Sequence, residues 1–473
     1  MLKINSEACY SKTKYPYFLK GAVNLPHKAN LPTSDRELLF LSWPIFVELL
    51  MGVIIGNINV WMISHFNELA VASISATNQL IGLSVNIYGF ITIGAQITIA
   101  QFLGANRNKE LPTIINTALF GGLGIGLTLS LLFFSFPKQL LAFMNLPPNI
   151  ISLGTDYARI YGGGLFIAAL NAVMIATLRT HGYTRQALII PMAASLFTVC
   201  GNFVALFSPF GLPNLGVRGL ACSALLGNLI AFGLASQLLK KYIHFDLLSA
   251  RPHLISAKML KQILKLGLPS SGESVSYQGA QVVVTMIVAS LGANVLITKS
   301  YVASITQFVF LTAAALSQGN QIIIGRNVGA KNFTQAYQRG LRSTWQNVLI
   351  STSICLATFC FIEPIMHIFT HNPAIISLAR WVFLVEILLE AARAVNMTLV
   401  GSLNASGDVK FPLICSLTVL WLISLPFSYL LAIGLKLGLV GVWLAYTIDE
   451  SLRACLMIHR WRKGQWRQKV IID

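Results

Sequence analysis

Displaced by 225 residues, the chain falls on itself: GAQITIAQFLGA (Gly94 to Ala105) meets GNQIIIGRNVGA (Gly319 to Ala330). Pro44 and Glu48 meet Pro269 and Glu273 at the same offset, and LRTHG, with Leu178 and Gly182, meets LNASG, with Leu403 and Gly407. A later pair, LGVRG (Leu215 to Gly219) and LGLVG (Leu437 to Gly441), returns at 222, as a short loop deletion would give. One unit of about two hundred residues is written twice, and repeats of that size in an apolar chain point to transporter architecture.

Composition places both copies in lipid. With 55% hydrophobic and 11% charged residues, the chain has too few charges to cover a soluble surface. Apolar runs of about 20 residues are centred near Val53, Ser84, Ile125, Ile167, Thr198 and Leu229 in the first copy. In the second they fall near Val283, Thr312, Cys355, Leu389, Leu420 and Ala445. The expected fold is an all-α membrane protein of twelve transmembrane helices, in two six-helix repeats related by a pseudo-two-fold axis along the membrane normal.

Of 34 Lys and Arg, five fall in odd-numbered loops: Lys138, Arg218, Lys299, Arg380 and Lys436. Nearly all the others lie in the termini and even-numbered loops, which by the positive-inside rule makes both termini cytoplasmic. The net charge of +18 is then explained by topology and anionic lipid headgroups, and nucleic acid is not needed as a partner. The chain divides into an amino-terminal arm (1–36), a first lobe (37–242), a cytoplasmic linker (243–261), a second lobe (262–463) and a tail (464–473). The arm has no apolar segment followed by a cleavage site, so no signal peptide is expected.

Reactive chemistry is not visible. Seven scattered cysteines form no CxxC, the eight histidines show no metal spacing, and no phosphate loop or nucleophile elbow is present. The chain is read as a non-enzyme without cofactor or metal centre.

What remains is ionisable residues inside spans: Glu48, Glu273, Glu386, Glu390 and, less deeply, Asp156. A charge at the bilayer centre costs roughly 3 kcal/mol on insertion scales, so such groups face a partner or a watery cavity. Glu48 and Glu273 are repeat mates, each one turn after a proline that frees a carbonyl and bends its helix. Each either lines a cavity, or satisfies the freed backbone or pairs with a neighbouring helix. Glu386, Glu390 and Arg393 are spaced i, i+4 and i+7, on one face of the tenth span, with Asn396 one turn on. One arginine cannot compensate two carboxylates, which favours ion coupling over a purely structural ion pair. The positions 225 earlier are Tyr161, Leu165 and Ala168, and only Asn171 matches, so the charge chemistry belongs to the second copy. Asn59, Tyr277, Gln278 and Gln307 are further candidates for the cavity wall, with interhelical bonding as the other role. Asp449, Glu450 and Arg453 read as a structural ion cluster near the cytoplasmic end of the last span.

IAQFLGANRNKE (Ile99 to Glu110), IIGRNVGAKN (Ile323 to Asn332), TLRTHGYTRQAL (Thr177 to Leu188) and SLNASGDVKFP (Ser402 to Pro412) together resemble the multidrug and toxic compound extrusion (MATE) family, closest to its bacterial NorM-like branch. The resemblance covers about residues 36 to 463. It implies two six-helix lobes around a V-shaped cavity, and export of amphipathic, often cationic compounds against proton or sodium entry. The family's first-span GxxD reads Gly56, Asn57, Ile58, Asn59 here, without the acid. Its seventh-span acid falls at Tyr277 and Gln278, with Glu273 one turn nearer the proline, and its tenth-span acid aligns near Arg393, one turn from Glu390.

The expected function is a secondary antiporter in the cytoplasmic membrane, acting as a monomer. Ion coupling is assigned to Glu273, Glu386, Glu390 and Arg393, with sodium at Glu273 and Glu390 as one option. The cavity is lined by Glu48, Asn59, Tyr277, Gln278, Gln307, Asn171 and Asn396. Expected partners are a small-molecule substrate, a proton or sodium ion, and membrane lipid. A related flippase for a lipid-linked precursor would want a more basic cavity, and an intramembrane enzyme would need a reactive constellation.

Overall fold

The computed structural model describes residues 35–66, 68–144, 147–207, 215–247 and 255–472. Most of the arm and residues 248–254 of the linker lie outside the described residues. The first lobe comprises α1 (Asp35–Phe66), α2 (Glu68–Gly104), α3 (Leu111–Ser135), α4 (Pro137–Ala142), α5 (Pro148–Gly162), α6 (Leu165–Thr180), α7 (Thr184–Phe207) and α8 (Gly216–Leu238). The second comprises α9 (Ala257–Ser290), α10 (Ala293–Gly329), α11 (Phe333–Cys360), α12 (Ile362–Phe369), α13 (Pro373–Ser406), α14 (Lys410–Val419), α15 (Leu425–Tyr429) and α16 (Gly438–Lys463). The pair α5–α6 forms one span bent by 48°, and α11 turns into α12 by 69°. In the eleventh span, π-turns at Leu420–Ser424 and Leu430–Gly434 flank α15, where Pro426 removes a backbone donor. All twelve expected centres fall within helices.

In lipid the backbone must satisfy itself within each helix, and apolar side chains can face outward at no cost. Leu131, Leu196, Leu349, Leu388 and Leu422 are accordingly more than half exposed. Among the described residues, seven helices are long and apolar enough to cross on hydropathy, or nine spans if each bent pair is counted as one. The long helices that are not are α9, α13 and α16, which carry Glu273; Glu386, Glu390 and Arg393; and Asp449, Glu450 and Arg453.

The repeated motifs have a physical reason at each position. Asn106 (φ 56°) and Lys331 (φ 58°) are repeat mates, as are Gly182 and Gly407 (both φ 92°), and Gly216 (φ 52°) and Gly438 (φ 57°). Each marks a helix end where the backbone turns left-handed, which glycine does without strain. Of the remaining shared glycines, Gly219 and Gly441 pack inside their own lobes, while Gly94, Gly104, Gly319 and Gly329 form the seam between the lobes. A Cβ on Gly104 of α2 would fall on the carbonyl of Arg326 in α10, and one on Gly329 of α10 would fall on the carbonyl of Gln101 in α2. Since Gln101 and Arg326 are themselves mates, the two contacts are images of each other and the pseudo-two-fold axis passes between α2 and α10. Likewise Gly94 meets the Ile263 backbone and Gly267 meets Phe90, while Gly319 meets Ser42, the mate of Gly267. The seam ends near Gly89, whose added Cβ would reach only Ser271 Oγ at 3.9 Å. At Gly82, Gly56 and Gly52 such a Cβ meets nothing within 4 Å. The lobes thus close on the face that carries the loop after α2 and part toward the other.

Candidate functional site

The tenth span positions the charges as its spacing requires. Arg393 Nη1 donates to Glu386 Oε1 at 3.1 Å and to Glu390 Oε2 at 2.7 Å. Trp443, on α16, donates its Nε1–H to Glu386 Oε2 at 2.6 Å, so both oxygens of Glu386 are occupied. Glu390 is 0% exposed and its Oε1 has no hydrogen-bond partner.

One turn along α13, Asn396 donates to Glu450 Oε2 at 2.8 Å and brings the last span into the same site. Arg453 bonds Glu450 Oε1 at 2.9 Å and Asp449 Oδ2 at 2.6 Å, and its Nη1 lies 4.0 Å from Glu273 Oε1. Glu273 also accepts from Ser416 Oγ at 2.6 Å. Asp449, Glu450 and Arg453 thus form the ion cluster their spacing suggested, and through Asn396 and Glu273 it is joined to α13 and α9 in the core of the second lobe. Glu273, Glu386, Glu390, Asp449 and Glu450 share two guanidiniums, Arg393 and Arg453. Asp449 Oδ1, like Glu390 Oε1, has no partner. Buried surplus negative charge of this kind demands a proton or a cation, because the low dielectric will not tolerate it bare.

The other candidates divide by place. Tyr277 is 39% exposed, and Gln278 and Gln307 are exposed as well. Beside Tyr277, Trp421 donates to Ser276 Oγ at 2.8 Å and Tyr446 to Gln281 Oε1 at 2.9 Å, giving a polar and aromatic rim above the carboxylates. Asn59 accepts from Asn202 Nδ2 at 3.0 Å. Asn171 and Asn396, expected on the cavity wall, are instead 5% and 4% exposed, inside their own lobes. Glu48 is paired with Arg179 of α6, whereas its mate Glu273 turns to α14 and α16. Asp156 is not deep: it accepts from Arg218 at 2.6 Å in an exposed ion pair.

Several partners escaped sequence reasoning. Arg179 and Arg326 were legible as cations, but only the tertiary fold shows that they reach Glu48 and the Thr180 carbonyl, and that Arg453 approaches Glu273. For Arg453 the i, i+3 and i+4 spacing to Glu450 and Asp449 was a usable signal.

The MatE family model matches residues 44–204 and 269–430, two stretches that begin at the repeat-mate prolines Pro44 and Pro269. The chain belongs to this family. Among curated relatives, the MATE chain is 34% identical over 452 residues to an uncharacterized transporter, YisQ of Bacillus subtilis, covering 95% of this chain and 99% of the relative. It is 24% identical to a probable multidrug resistance protein NorM of Thermotoga maritima, covering 94% and 96%. Among solved structures, it matches one described as the outward-facing conformation of a multidrug resistance MATE family transporter, with a TM-score of 0.82 and 19% identity over 90% of this chain and 95% of that one. The MATE fold explains the arrangement seen: twelve spans in two six-helix repeats, in a multi-pass membrane transporter.

Proposed function

We propose that this MATE transporter is a secondary antiporter that exports amphipathic, cationic or planar small molecules in exchange for protons or sodium ions, with coupling at the second-lobe carboxylates. The observation that carries this is the charge imbalance: five carboxylates on α9, α13 and α16 share Arg393 and Arg453, and Glu390 Oε1 is buried without a partner. Glu390, Glu386 and Glu273 would take up the ion, and Arg393 would hold the first two in register. Tyr277, Gln278 and Gln307 would face the substrate. The name of the Thermotoga maritima relative supports export of drugs.

Transport requires that ion and substrate bias the same two-state element in opposite senses. The glycine seam is that element. It closes one face while the lobes are parted on the other, and exchange of ion for substrate would rock it. The basic residues of the termini and even-numbered loops would put the seam on the cytoplasmic face, with the chain monomeric in the cytoplasmic membrane.

Everted vesicles carrying the purified protein, with proton and sodium gradients imposed separately, test the reading. Export of a fluorescent cation should follow one gradient and vanish in Glu390→Gln. Equal export without any gradient would refute antiport.

A further inference from the structure

The segment after α16 crosses from one lobe to the other, and the cycle described above makes no use of it. It is anchored first in the second lobe. Trp466 is fully buried, stacks on Trp461 with ring centroids 4.4 Å apart and planes 9° apart, and donates Nε1–H to the Trp461 carbonyl at 3.0 Å. Phe333 closes the pocket edge-on at 6.0 Å, and the backbone at Lys469 lies against Gly407, where a Cβ would collide with its carbonyl.

The chain then enters the first lobe. Ile471 donates its backbone N–H to Gln101 Oε1 at 3.2 Å, while Gln101 Nε2 donates across the seam to the Ala405 carbonyl at 2.7 Å. Gln101 is 0% exposed, so both ends of its amide are satisfied only while strap and seam are in place. Ile471 packs with Ile97 of α2, Leu266 of α9 and Val409, and Ile472, 5% exposed, sits in the core of the first lobe with Ile99 and Phe102. Val470 touches the cores of both lobes.

We infer that residues 464–472 are a latch that holds the lobes together on the seam face, and that release of Ile471 and Ile472 from the first lobe precedes opening there. The latch has unequal ends. The Trp466 end is built into one lobe by a stacked ring and an indole hydrogen bond, whereas the Ile471–Ile472 end is held by one backbone bond and two aliphatic side chains. Separation of the lobes breaks the weaker end first, and the strap stays with the second lobe.

The test uses the full chain in nanodiscs and measures hydrogen exchange of peptides covering 97–104 on α2 and 322–329 on α10. Ile471→Pro removes the N–H that reaches Gln101, and Ile472→Ser removes the first-lobe anchor. Both leave Trp466 on Trp461. Each should raise exchange of both seam peptides by about tenfold while peptides covering 386–396 stay unchanged. Deletion of residues 465–473 should do the same or more. Unchanged exchange at the seam in Ile471→Pro and Ile472→Ser would overturn the inference. A uniform rise across all helices would overturn it too, since it would make the strap a general support. The readout involves neither ion nor substrate, so its failure is distinct from failure of the antiport reading.

Discussion

In the second lobe Asn396 donates its amide to Glu450; in the first lobe its mate Asn171 makes the corresponding bond, at 2.9 Å, to the carbonyl of Asn228, the mate of Glu450. The scaffold hydrogen bond is therefore present twice, while the acid is present once. The same holds around it: Glu386, Glu390 and Arg393 stand where the first lobe has Tyr161, Leu165 and Ala168, and Asp449 and Arg453 stand where it has Gly227 and Ala231. A polar but neutral network, with Tyr157 donating to Asn78 at 3.3 Å, fills the equivalent space. Two interiors of one design thus differ in whether they hold surplus acid. The first holds Glu48 with Arg179, a balanced pair.

The largest expected difference is in coupling. Glu390→Gln should cut ion-driven export to below about a tenth of the parent rate at unchanged membrane abundance, since it keeps size and hydrogen bonding but removes the charge. Glu48→Gln should stay within about threefold. Export rates under an imposed gradient decide it, and the reverse ranking would move the coupling site to the first lobe.

Stability comes next. Arg393→Ala strands two buried carboxylates, a loss of about 3–5 kcal/mol on the scale of broken buried pairs. Membrane abundance should fall several-fold and recover when Glu386→Gln and Glu390→Gln are added. Arg179→Ala should cost less, because Glu48 is partly exposed and can be hydrated. Thermal unfolding in detergent would rank the two.

At the seam the comparison should vanish. Gly104→Val and Gly329→Val each drive a side chain into a backbone of the opposite lobe, at Arg326 and Gln101. Both should raise exchange of the seam peptides by similar factors, within about threefold of each other. A large inequality would mean that closure is not symmetric.

The smallest effect returns an asymmetry. His181, just beyond α6, is held down to about 4 by burial, with Arg326 adding to it against the bond to the Thr177 carbonyl, and its mate is the non-titrating Ser406. A solvated imidazole titrates near ~6.5. If parting the lobes solvates it, the parted form takes up a proton that the closed form refuses. Closure is then fully stable above about pH 6.5 and weakens as pH falls toward 4. Seam exchange should rise several-fold by about pH 5.5, and His181→Gln should flatten the profile.

The sequence disclosed the duplication, the span centres and the charged face of α13, because each is a pattern along one helix or a fixed offset. It did not disclose that Asn396 joins α16 to that face or that Arg453 joins α16 to Glu273 of α9, since those partners lie over 50 residues apart. Nor did it show why the motif glycines recur. Spacing alone does not say that Gly104 and Gly329 are where two backbones touch, and that took the packing of α2 on α10. Asn171 and Asn396 were placed on the wall for their polarity, yet each is inside its lobe, where its amide nitrogen donates one hydrogen bond and its Oδ1 has no partner.

Seen as an interface, the contact between Gly104 and Arg326, with its image between Gly329 and Gln101, is isologous: one patch meets a copy of itself, as at the axis of a two-fold dimer. A polypeptide of half this length would already present a self-complementary surface. Joining the halves relieves every residue away from that surface of the need to serve in two identical settings. One subunit could then become acidic while the other stayed neutral, and the shared patch kept them moving as a pair.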